Sequence, residues 1–381
     1  MYFQGEKGYL NLLKDTLADG ETKATRNGNV ISVFGCMINF KNISGSFPLI
    51  TSKRMFFRGI VEELLWFLRG STNALELKQK NIHIWDGNST RQYLDSIGLD
   101  YPEGELGPIY GWQWRRFGKE YSNDYVDGAD GADGADGADG ADGADGADGA
   151  DGADGADGAD GADGAEATED IYNDMEYNDT ESTASTVTTD STDSSFNYTD
   201  THSITDTYTY VKSKGIDQIK YILEELSKDN NSRRAVLSAW NPVDLKKMAL
   251  PPCHILYIFN KSSKGLSCHM TLRSSDLFLG LPFNIASTAL LTQILAHILY
   301  IPANEISLSI CDAHIYEEHI PQVNKQISSE LYDFPKVIIK KDPPYISACI
   351  DEKIRWLEEL VYDDFELSNY KSGAPLSAIM K

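Results

Sequence analysis

A repetitive tract in the middle of the chain most constrains how this sequence can fold. Residues 127–165 are thirteen consecutive Asp-Gly-Ala triplets, and residues 166–210 add eleven acidic residues without a lysine or arginine. The triplets offer no apolar side chain larger than alanine, so burial cannot offset the entropy lost on ordering. We therefore predict that residues 122–214 form one disordered, acidic, low-complexity insert. The folded domain is then assembled from residues 6–121 and 215–381.

The acidity of the protein is confined to this insert. The formal net charge is −24, and the 13 aspartates of the triplets together with the 11 acids after them account for all of it. The rest of the chain is near neutral, which gives no support for a nucleic-acid or membrane partner. Five cysteines without a CxxC pair, and no secretory signal or membrane-spanning apolar run, predict a cytoplasmic protein. A nuclear location is also compatible with this composition.

Hydrophobic periodicity divides the two folded segments into helices and strands. Helical patterns occur at residues 6–18, 58–69, 215–227, 285–300 and 347–362. Strand patterns occur at residues 30–40, 235–239, 252–260 and 265–273. Residues 1–5 contain Tyr-Phe-Gln-Gly, which is typical of the remnant of an engineered protease site, so we exclude them from the predicted fold.

A single cysteine at a rigid strand start is the strongest chemical signal. Pro251 and Pro252 exclude a helix, Cys253 and His254 follow, and residues 255–259 have the pattern of a buried strand. Thiolate is the reactive form of cysteine, and nearby cations lower the thiol pKa. We therefore expect Cys253 to be a nucleophile whose thiolate is favoured by nearby arginines. A buried structural cysteine is the alternative.

A second polar segment spans residues 273–284. Arg273 and Ser274 suit a phosphate, and Asn284 offers both a donor and an acceptor, as the edge of a uracil-like base requires. The alternative is a solvated arginine and an asparagine that precedes and caps an apolar helix.

Glu63 lies in the middle of the apolar helical stretch 58–69. A buried carboxylate costs several kcal/mol unless it is hydrogen-bonded or protonated, so its pKa tends to rise. Such a group suits general acid/base work. The alternative is an exposed glutamate at the edge of the helix.

Three segments, PPCH (251–254), RSSDLFLGLPFN (273–284) and DAHIY (312–316), resemble the active-site segments of thymidylate synthase. The resemblance covers nearly all of residues 6–121 and 215–381. It is to the eukaryotic type, and it is compatible with the synthase part of a bifunctional dihydrofolate reductase–thymidylate synthase whose reductase domain precedes Glu6. It implies an α+β fold with three α/β/α layers, in which a large mixed sheet forms the interface of a homodimer.

The resemblance assigns one set of residues to the nucleotide dUMP. Cys253 is the implied nucleophile, with Tyr110 near it. The implied substrate-binding residues are His254, Arg273, Ser274, Asn284, His314, Tyr316 and Arg26, with Arg233 and Arg234 contributed across the dimer interface. His314 and Tyr316 are two apart on an extended run, so their side chains point to the same side of the strand.

A second set is implied to hold the co-substrate 5,10-methylenetetrahydrofolate. Asp276 anchors the pterin, Ile84 and Trp85 form an apolar wall, and Lys53 helps to hold the glutamate tail. The complete implied set is Lys53, Ile84, Trp85, Asp276, Leu279, Gly280 and Phe283. Residues 373–381 resemble a mobile tail that closes over the folate, and no metal is implied.

The implied reaction is the reductive methylation of dUMP to dTMP, with dihydrofolate as second product and Glu63 moving protons. The chain would then be a methyltransferase of nucleotide biosynthesis and one-carbon metabolism. Leu272 and Thr271 depart from the glutamine and tyrosine that are usual in the family. Loss of the glutamine carboxamide predicts a weaker network of ordered water beside the nucleotide.

Two other functions stay open at this point. A deoxyuridylate hydroxymethylase of the same superfamily adds water instead of hydride, and a cytosine-specific member is expected to carry an acid at position 284. A non-catalytic relic that binds nucleotide or RNA is the second. A zinc site at Cys311, His314 and His319 is a weaker hypothesis, because the spacing lacks a second ligand pair.

Overall fold

A mixed β-sheet covered by one long apolar helix is the centre of the fold. The computed structural model describes residues 1–122, 214–228 and 232–379. Its seven-stranded sheet has the order β1-β3-β7-β6-β5-β4, and β2 also pairs with β3. The strands are β1 (Tyr2–Gln4), β2 (Glu21–Thr25), β3 (Gly28–Lys41), β4 (Val236–Ser238), β5 (His254–Ser262), β6 (Gly265–Asp276) and β7 (Ala303–Tyr316).

The sheet is mixed, with both parallel and antiparallel pairs of strands. β6 and β7 are parallel, as are β1 and β3, whereas β3/β7, β5/β6 and β4/β5 are antiparallel. A parallel pair needs a long crossover, and α8 (Gly280–Ile298) provides it between β6 and β7. A separate two-stranded sheet pairs β8 (Lys336–Ile339) with β9 (Phe365–Ser368).

Helix α8 is buried because it lies between the sheet and a second helical layer. It packs on β6 and β7 on one side and on α2 on the other. It is also the one helix of the described ranges that is long and apolar enough to span a membrane, and most of it is buried inside the protein. The remaining helices are α1 (Gly5–Asp19), α2 (Phe57–Leu68), α3 (Leu75–Gln79), α4 (Asp86–Ser89), α5 (Arg91–Ser96), α6 (Tyr110–Arg116), α7 (Gln218–Ser227), α9 (Ile320–Ile327) and α10 (Ile350–Glu358).

Residues along β6 and β7 alternate between buried apolar and half-buried polar positions. Met270 faces α8, where its sulfur lies 3.4 Å from the Thr288 hydroxyl. On the opposite face, the His269 ring lies between the hydroxyls of Ser307, at 2.7 Å, and Ser309, at 3.1 Å. The α+β class with a large mixed sheet is thus confirmed. The use of its open face as a dimer interface stays a prediction.

Four details differ from the sequence-based expectations. Residues 2–4 belong to the fold as β1, with Phe3 buried, although their origin as a tag remnant stays a prediction. Helix α8 starts at Gly280, so Asn284 lies inside the helix and does not precede it. The helix expected at 215–227 begins at Gln218, and the one expected at 347–362 covers Ile350–Glu358 alone. Nearly all of the predicted acidic insert lies outside the described residues.

Candidate active site

Cys253 is held in place just before β5 by two neighbouring elements. Its backbone N–H donates to the Tyr110 hydroxyl at 2.7 Å, which ties it to the first turn of α6. Arg273 on β6 donates from Nε to the Pro252 carbonyl at 2.7 Å and from Nη2 to the Pro251 carbonyl at 2.8 Å. The same Nη2 lies 3.8 Å from the Cys253 sulfur. The two prolines therefore present their carbonyls to the guanidinium, which in turn lies against the thiol.

Burial dominates the electrostatics of this cysteine. It raises the pKa of Cys253 above the ordinary thiol value, although the Arg273 charge and the Tyr110 hydroxyl both act to lower it. Arg273 thus favours the thiolate, as expected, but burial outweighs its charge in the protein alone. Arg273 only partly offsets the desolvation of the charged form.

His254 follows the cysteine and is largely buried. Its ring stacks on Tyr110 with centroids 4.2 Å apart, and its Nδ1 lies 2.8 Å from the Tyr257 hydroxyl. Burial lowers the pKa of His254 to about 3, so the imidazole is neutral at physiological pH.

Glu63 projects from α2 into the same cluster of rings. Its Oε1 accepts a hydrogen bond from the Trp85 indole N–H at 2.9 Å. Burial raises the pKa of Glu63 to about 7, against a smaller lowering by the indole. The predicted perturbed carboxyl is confirmed. The Trp85 ring also lies edge-on to Tyr110 at 5.8 Å, so the carboxyl, the tyrosine and the cysteine form one connected group.

Asp276, at the end of β6, accepts a hydrogen bond from the Phe278 N–H at 2.8 Å, which holds the turn into α8. Lys53 is 4 % exposed, and its ammonium donates to the Phe278 carbonyl and lies 3.8 Å from the Phe278 ring centroid. Burial lowers the pKa of Lys53 to about 8, partly opposed by the Asp276 charge. Lys53 therefore holds the Asp276 turn, and its predicted role with the folate tail stays a prediction.

The residues expected to hold the sugar lie on β7. The rings of His314 and Tyr316 meet edge to face with centroids 5.3 Å apart, as their spacing predicted. His314 Nδ1 is 2.9 Å from an Asp312 oxygen. Because β6 and β7 are parallel neighbours, Asp276 is paired in register with His314. The sugar and pterin residues therefore lie side by side on adjacent strands.

The predicted phosphate ligands are more scattered. Arg26 is exposed in the β2–β3 turn, where Asn27 hydrogen-bonds to Tyr316 and the Arg26 charge acts on its hydroxyl. Arg233 and Arg234 are exposed before β4. Ser274 is half-buried on β6. Within one chain, Arg26 thus lies near Tyr316, one of the residues predicted to hold the sugar. The contribution of Arg233 and Arg234 to a partner's site stays a prediction.

Comparison with known sequences decides the family. The sequence profile of the family described as Thymidylate synthase matches residues 7–381. The chain belongs to the thymidylate synthase family.

Several curated thymidylate synthase relatives match almost the whole chain. A bifunctional dihydrofolate reductase-thymidylate synthase from Glycine max is 36% identical over 364 residues, which are 95% of this chain and 51% of that protein. One from Zea mays is 38% identical over 340 residues, 89% of this chain and 49% of that protein. Thymidylate synthase 1/2 from Encephalitozoon cuniculi is 34% identical over 366 residues, 96% of this chain and 93% of that protein. The chain spans about half the length of the bifunctional relatives it matches.

Most of the residues predicted to contact the pterin are apolar. Trp85 is buried, whereas Ile84, Leu279 and Phe283 are half-buried and pack against the core. Gly280, the first residue of α8, has no atom closer than 3.9 Å to the position a Cβ would occupy. The open space there is compatible with the predicted contact to a flat ring.

Sequence reasoning missed two residues of this site. His319 is 1% exposed; its Nε2 lies 2.9 Å from the Ile379 carbonyl of the C-terminal tail, and its Nδ1 lies 3.7 Å from Asp276. Tyr257 contacts His254 from inside β5. The zinc hypothesis named His319 as a possible metal ligand. Within the described part of the chain, however, no group of three metal-binding side chains converges.

Proposed function

We propose that this chain catalyses the reductive methylation of dUMP to dTMP, with 5,10-methylenetetrahydrofolate as the donor of both the one-carbon unit and the hydride. The supporting observation is the cluster around Cys253 in a member of the thymidylate synthase family. The thiol lies 3.8 Å from a clamped guanidinium, and a carboxyl with a pKa of about 7 belongs to the same cluster.

Cys253 starts the reaction by forming a bond to C6 of the uracil ring. The thiol must first lose its proton, and the Arg273 charge makes this loss easier than burial alone would allow. Addition of sulfur pushes electron density onto C5 and the neighbouring carbonyl oxygen. Asn284, on the first turns of α8, hydrogen-bonds the base edge during this step.

Glu63 moves protons during the later steps. A carboxyl whose pKa is about 7 is present in both protonation states near neutral pH, so it can accept a proton and return one. The co-substrate supplies a methylene group and then a hydride, and it leaves as dihydrofolate. Removal of the C5 proton and expulsion of the Cys253 thiolate restore the aromatic base and free the enzyme. Asp276 and the apolar wall at Trp85 orient the pterin.

The nucleotide phosphate would be bound by Arg26 and Arg273 of one subunit and by Arg233 and Arg234 of a second copy. The open face of the sheet, with its half-buried polar row at His269, Ser307 and Ser309, supports a homodimer assembled through that face.

A cytoplasmic location is proposed because the cysteines of the described ranges are all free thiols, as expected in a reducing compartment.

The activity is tested by measuring dihydrofolate and dTMP formation from dUMP and 5,10-methylenetetrahydrofolate, for the full chain and for Cys253→Ala. The matched control is Cys349→Ala, which removes an exposed cysteine at the start of α10. We expect both products in equal amounts for the full chain and the control, and neither for Cys253→Ala. A hydroxymethylated nucleotide without dihydrofolate would assign the sister activity. No product with dUMP still bound would favour a non-catalytic role.

The proposed dimer is tested by mixing two inactive variants, Cys253→Ala and Arg234→Ala, after unfolding and refolding them together. If Arg234 serves the partner's site, a mixed dimer contains one site with an intact thiol and an intact arginine, and activity returns. If Arg234 acts within its own chain, no site is complete and the mixture stays inactive.

A further inference from the structure

Tyr257 is a buried polar side chain that no step of the proposed reaction uses. It lies on β5, three residues after His254, and is 2% exposed. Its ring packs edge-on against Trp114, with centroids 5.6 Å apart, and against the His254 ring, at 5.8 Å. Its hydroxyl oxygen is 2.8 Å from His254 Nδ1, within the range of a good hydrogen bond.

The direction of this hydrogen bond follows from the surroundings of both groups. Burial raises the pKa of Tyr257 well above its ordinary value and lowers the pKa of His254 to about 3, so both are neutral. The Thr288 hydroxyl, also near Tyr257, donates to the Asn284 carbonyl at 2.7 Å. The lone pair of an imidazole nitrogen accepts more strongly than a hydroxyl oxygen. This difference in acceptor strength favours the arrangement in which the phenol donates and Nδ1 accepts.

A neutral imidazole carries one proton, so an accepting Nδ1 places that proton on Nε2. In the described part of the chain no protein group forms a hydrogen bond with His254 Nε2, which leaves this N–H for a bound molecule. Stacking on Tyr110 holds the plane of the ring. The histidine beside the nucleophile is thus a donor with a fixed direction.

The register of the sheet explains why a tyrosine is needed here. His254 on β5 is paired with Leu272 on β6, and Leu272 is fully buried. Leucine offers no hydrogen bond to the His254 ring. The polar partner of His254 comes instead from within β5, as the hydroxyl of Tyr257.

We propose that Tyr257 is a positioning residue that fixes His254 as the Nε2–H tautomer, so that the enzyme favours uracil over cytosine. The exocyclic oxygen of uracil accepts a hydrogen bond, whereas the amino group of cytosine donates one. Asn284 can present either its oxygen or its nitrogen to a base after an amide flip. A locked N–H of His254 cannot change in this way. This inference rests on the proposed reaction with dUMP.

The tautomer is tested directly by nitrogen NMR of the full chain labelled with ¹⁵N-histidine. The His254 signals are assigned by their absence in His254→Gln. We expect a pyridine-type Nδ1 and a pyrrole-type Nε2, and in Tyr257→Phe a mixture of both tautomers. A pyrrole-type Nδ1 in the unmodified protein, or identical signals in Tyr257→Phe, would overturn the proposal.

The specificity is tested by comparing kcat/KM for dUMP with the inhibition constant of dCMP. In Tyr257→Phe we expect kcat/KM for dUMP to fall about three- to tenfold, the value of one neutral hydrogen bond, and dCMP to bind more tightly relative to dUMP. The control is Tyr101→Phe, which removes a hydroxyl that donates to the Lys247 carbonyl at 3.0 Å. If neither the discrimination between dUMP and dCMP nor the His254 tautomer changes, Tyr257 serves only to pack the core.

The two hypotheses fail in different ways. If the full chain forms no dTMP, the proposed function is wrong, and the NMR result still reports whether Tyr257 sets the tautomer. If dTMP forms but Tyr257→Phe changes neither the tautomer nor the discrimination, the inference alone is wrong.

Discussion

The indole N–H of Trp85 donates a hydrogen bond to Oε1 of Glu63 at 2.9 Å. This contact joins a residue expected to line the pterin site to the residue expected to move protons. Burial of Glu63 favours the neutral carboxyl, and the indole favours the carboxylate. Burial dominates, so the pKa rises to about 7.

Replacement of Trp85 by phenylalanine should raise the pKa of Glu63 further. Loss of one hydrogen bond to the carboxylate is worth about 1 kcal/mol, or roughly 0.5–1 pH unit. The measurement is the midpoint of the kcat/KM profile against pH, which separates this effect from weaker folate binding. The control is Trp66→Phe, whose indole donates to the Asn73 carbonyl. A midpoint that moves to lower pH would contradict this account.

Removal of the Glu63 charge should stabilise the protein at alkaline pH. The folded pKa of about 7 exceeds the ordinary glutamate value of 4.5, so the folded state binds more protons between these values and loses stability as pH rises through them. Glu63→Gln should therefore gain on the order of 1–3 kcal/mol at pH 8 and about nothing at pH 4, while activity falls about 10²- to 10⁴-fold.

Urea denaturation at both pH values measures this gain. The control is Glu62→Gln, which breaks a 2.7 Å ion pair with Lys80 and should not stabilise the protein at either pH. Equal stability of Glu63→Gln and the unmodified protein at pH 8 would show that Glu63 is not desolvated.

Replacement of Arg273 by lysine should slow the alkylation of Cys253. Lysine cannot form the paired hydrogen bonds to the Pro251 and Pro252 carbonyls, so its charge is not held beside the sulfur. The thiol pKa should rise and the iodoacetamide rate fall about three- to tenfold. Peptide mass spectrometry follows the rate, with the exposed Cys349 as internal reference and Arg234→Lys as control. A faster Cys253 reaction would contradict the role of Arg273.

Replacement of His319 by phenylalanine should release the C-terminal tail. The change removes the contact of Nε2 with the Ile379 carbonyl at 2.9 Å and the approach of Nδ1 to Asp276. We expect faster trimming by carboxypeptidase and a KM for folate raised about three- to tenfold, with dUMP binding unchanged. His297→Phe is the control, because its Nε2 contacts the Lys341 carbonyl at 3.1 Å. An equal loss of dUMP binding would point to general disruption of the site.

Replacement of Arg115 by alanine should destabilise the whole domain. Arg115 is 10% exposed and pairs with Asp217 at 2.9 Å and with Glu358 at 2.6 Å, so it joins α6 to α7 and α10. Partial exposure of Glu358 limits the loss to about 2–3 kcal/mol. The control is Lys220→Ala, which breaks an exposed pair with Asp351 and should cost less than about 1 kcal/mol. A similar loss in both variants, by urea denaturation, would contradict this role.

The Arg115 cluster also gives a function to the C-terminal helix that the sequence left unexplained. α10 packs on α7 and α2, and Arg69 donates to the carbonyls of Glu358 and Leu360. Because α6 and α7 lie on either side of the acidic tract in sequence, these contacts hold together the two segments of the folded domain.

Sequence patterns indicated the cluster around Cys253 because its members lie in long, specific segments. Cys253, Tyr110 and Glu63 come together as the resemblance implied, and the apolar helix around Glu63 indicated its raised pKa. The period of apolar residues also placed α1, α2, β3, β5 and β6 close to their true bounds. These features depend on local spacing, which a linear sequence records.

The tertiary structure alone decided the features that depend on contacts between distant segments. The contact of His319 with Ile379 spans 60 residues, and no local pattern indicates it. The pKa of Cys253 depends on how deeply the assembled fold buries it, and this burial outweighs the lowering by Arg273 that the sequence indicated. Tyr257 looks like an ordinary strand residue until the pairing of β5 with β6 sets Leu272 opposite His254. Sequence determined which groups the site contains, and packing decided their charge and their partners, because desolvation and hydrogen bonding act through space.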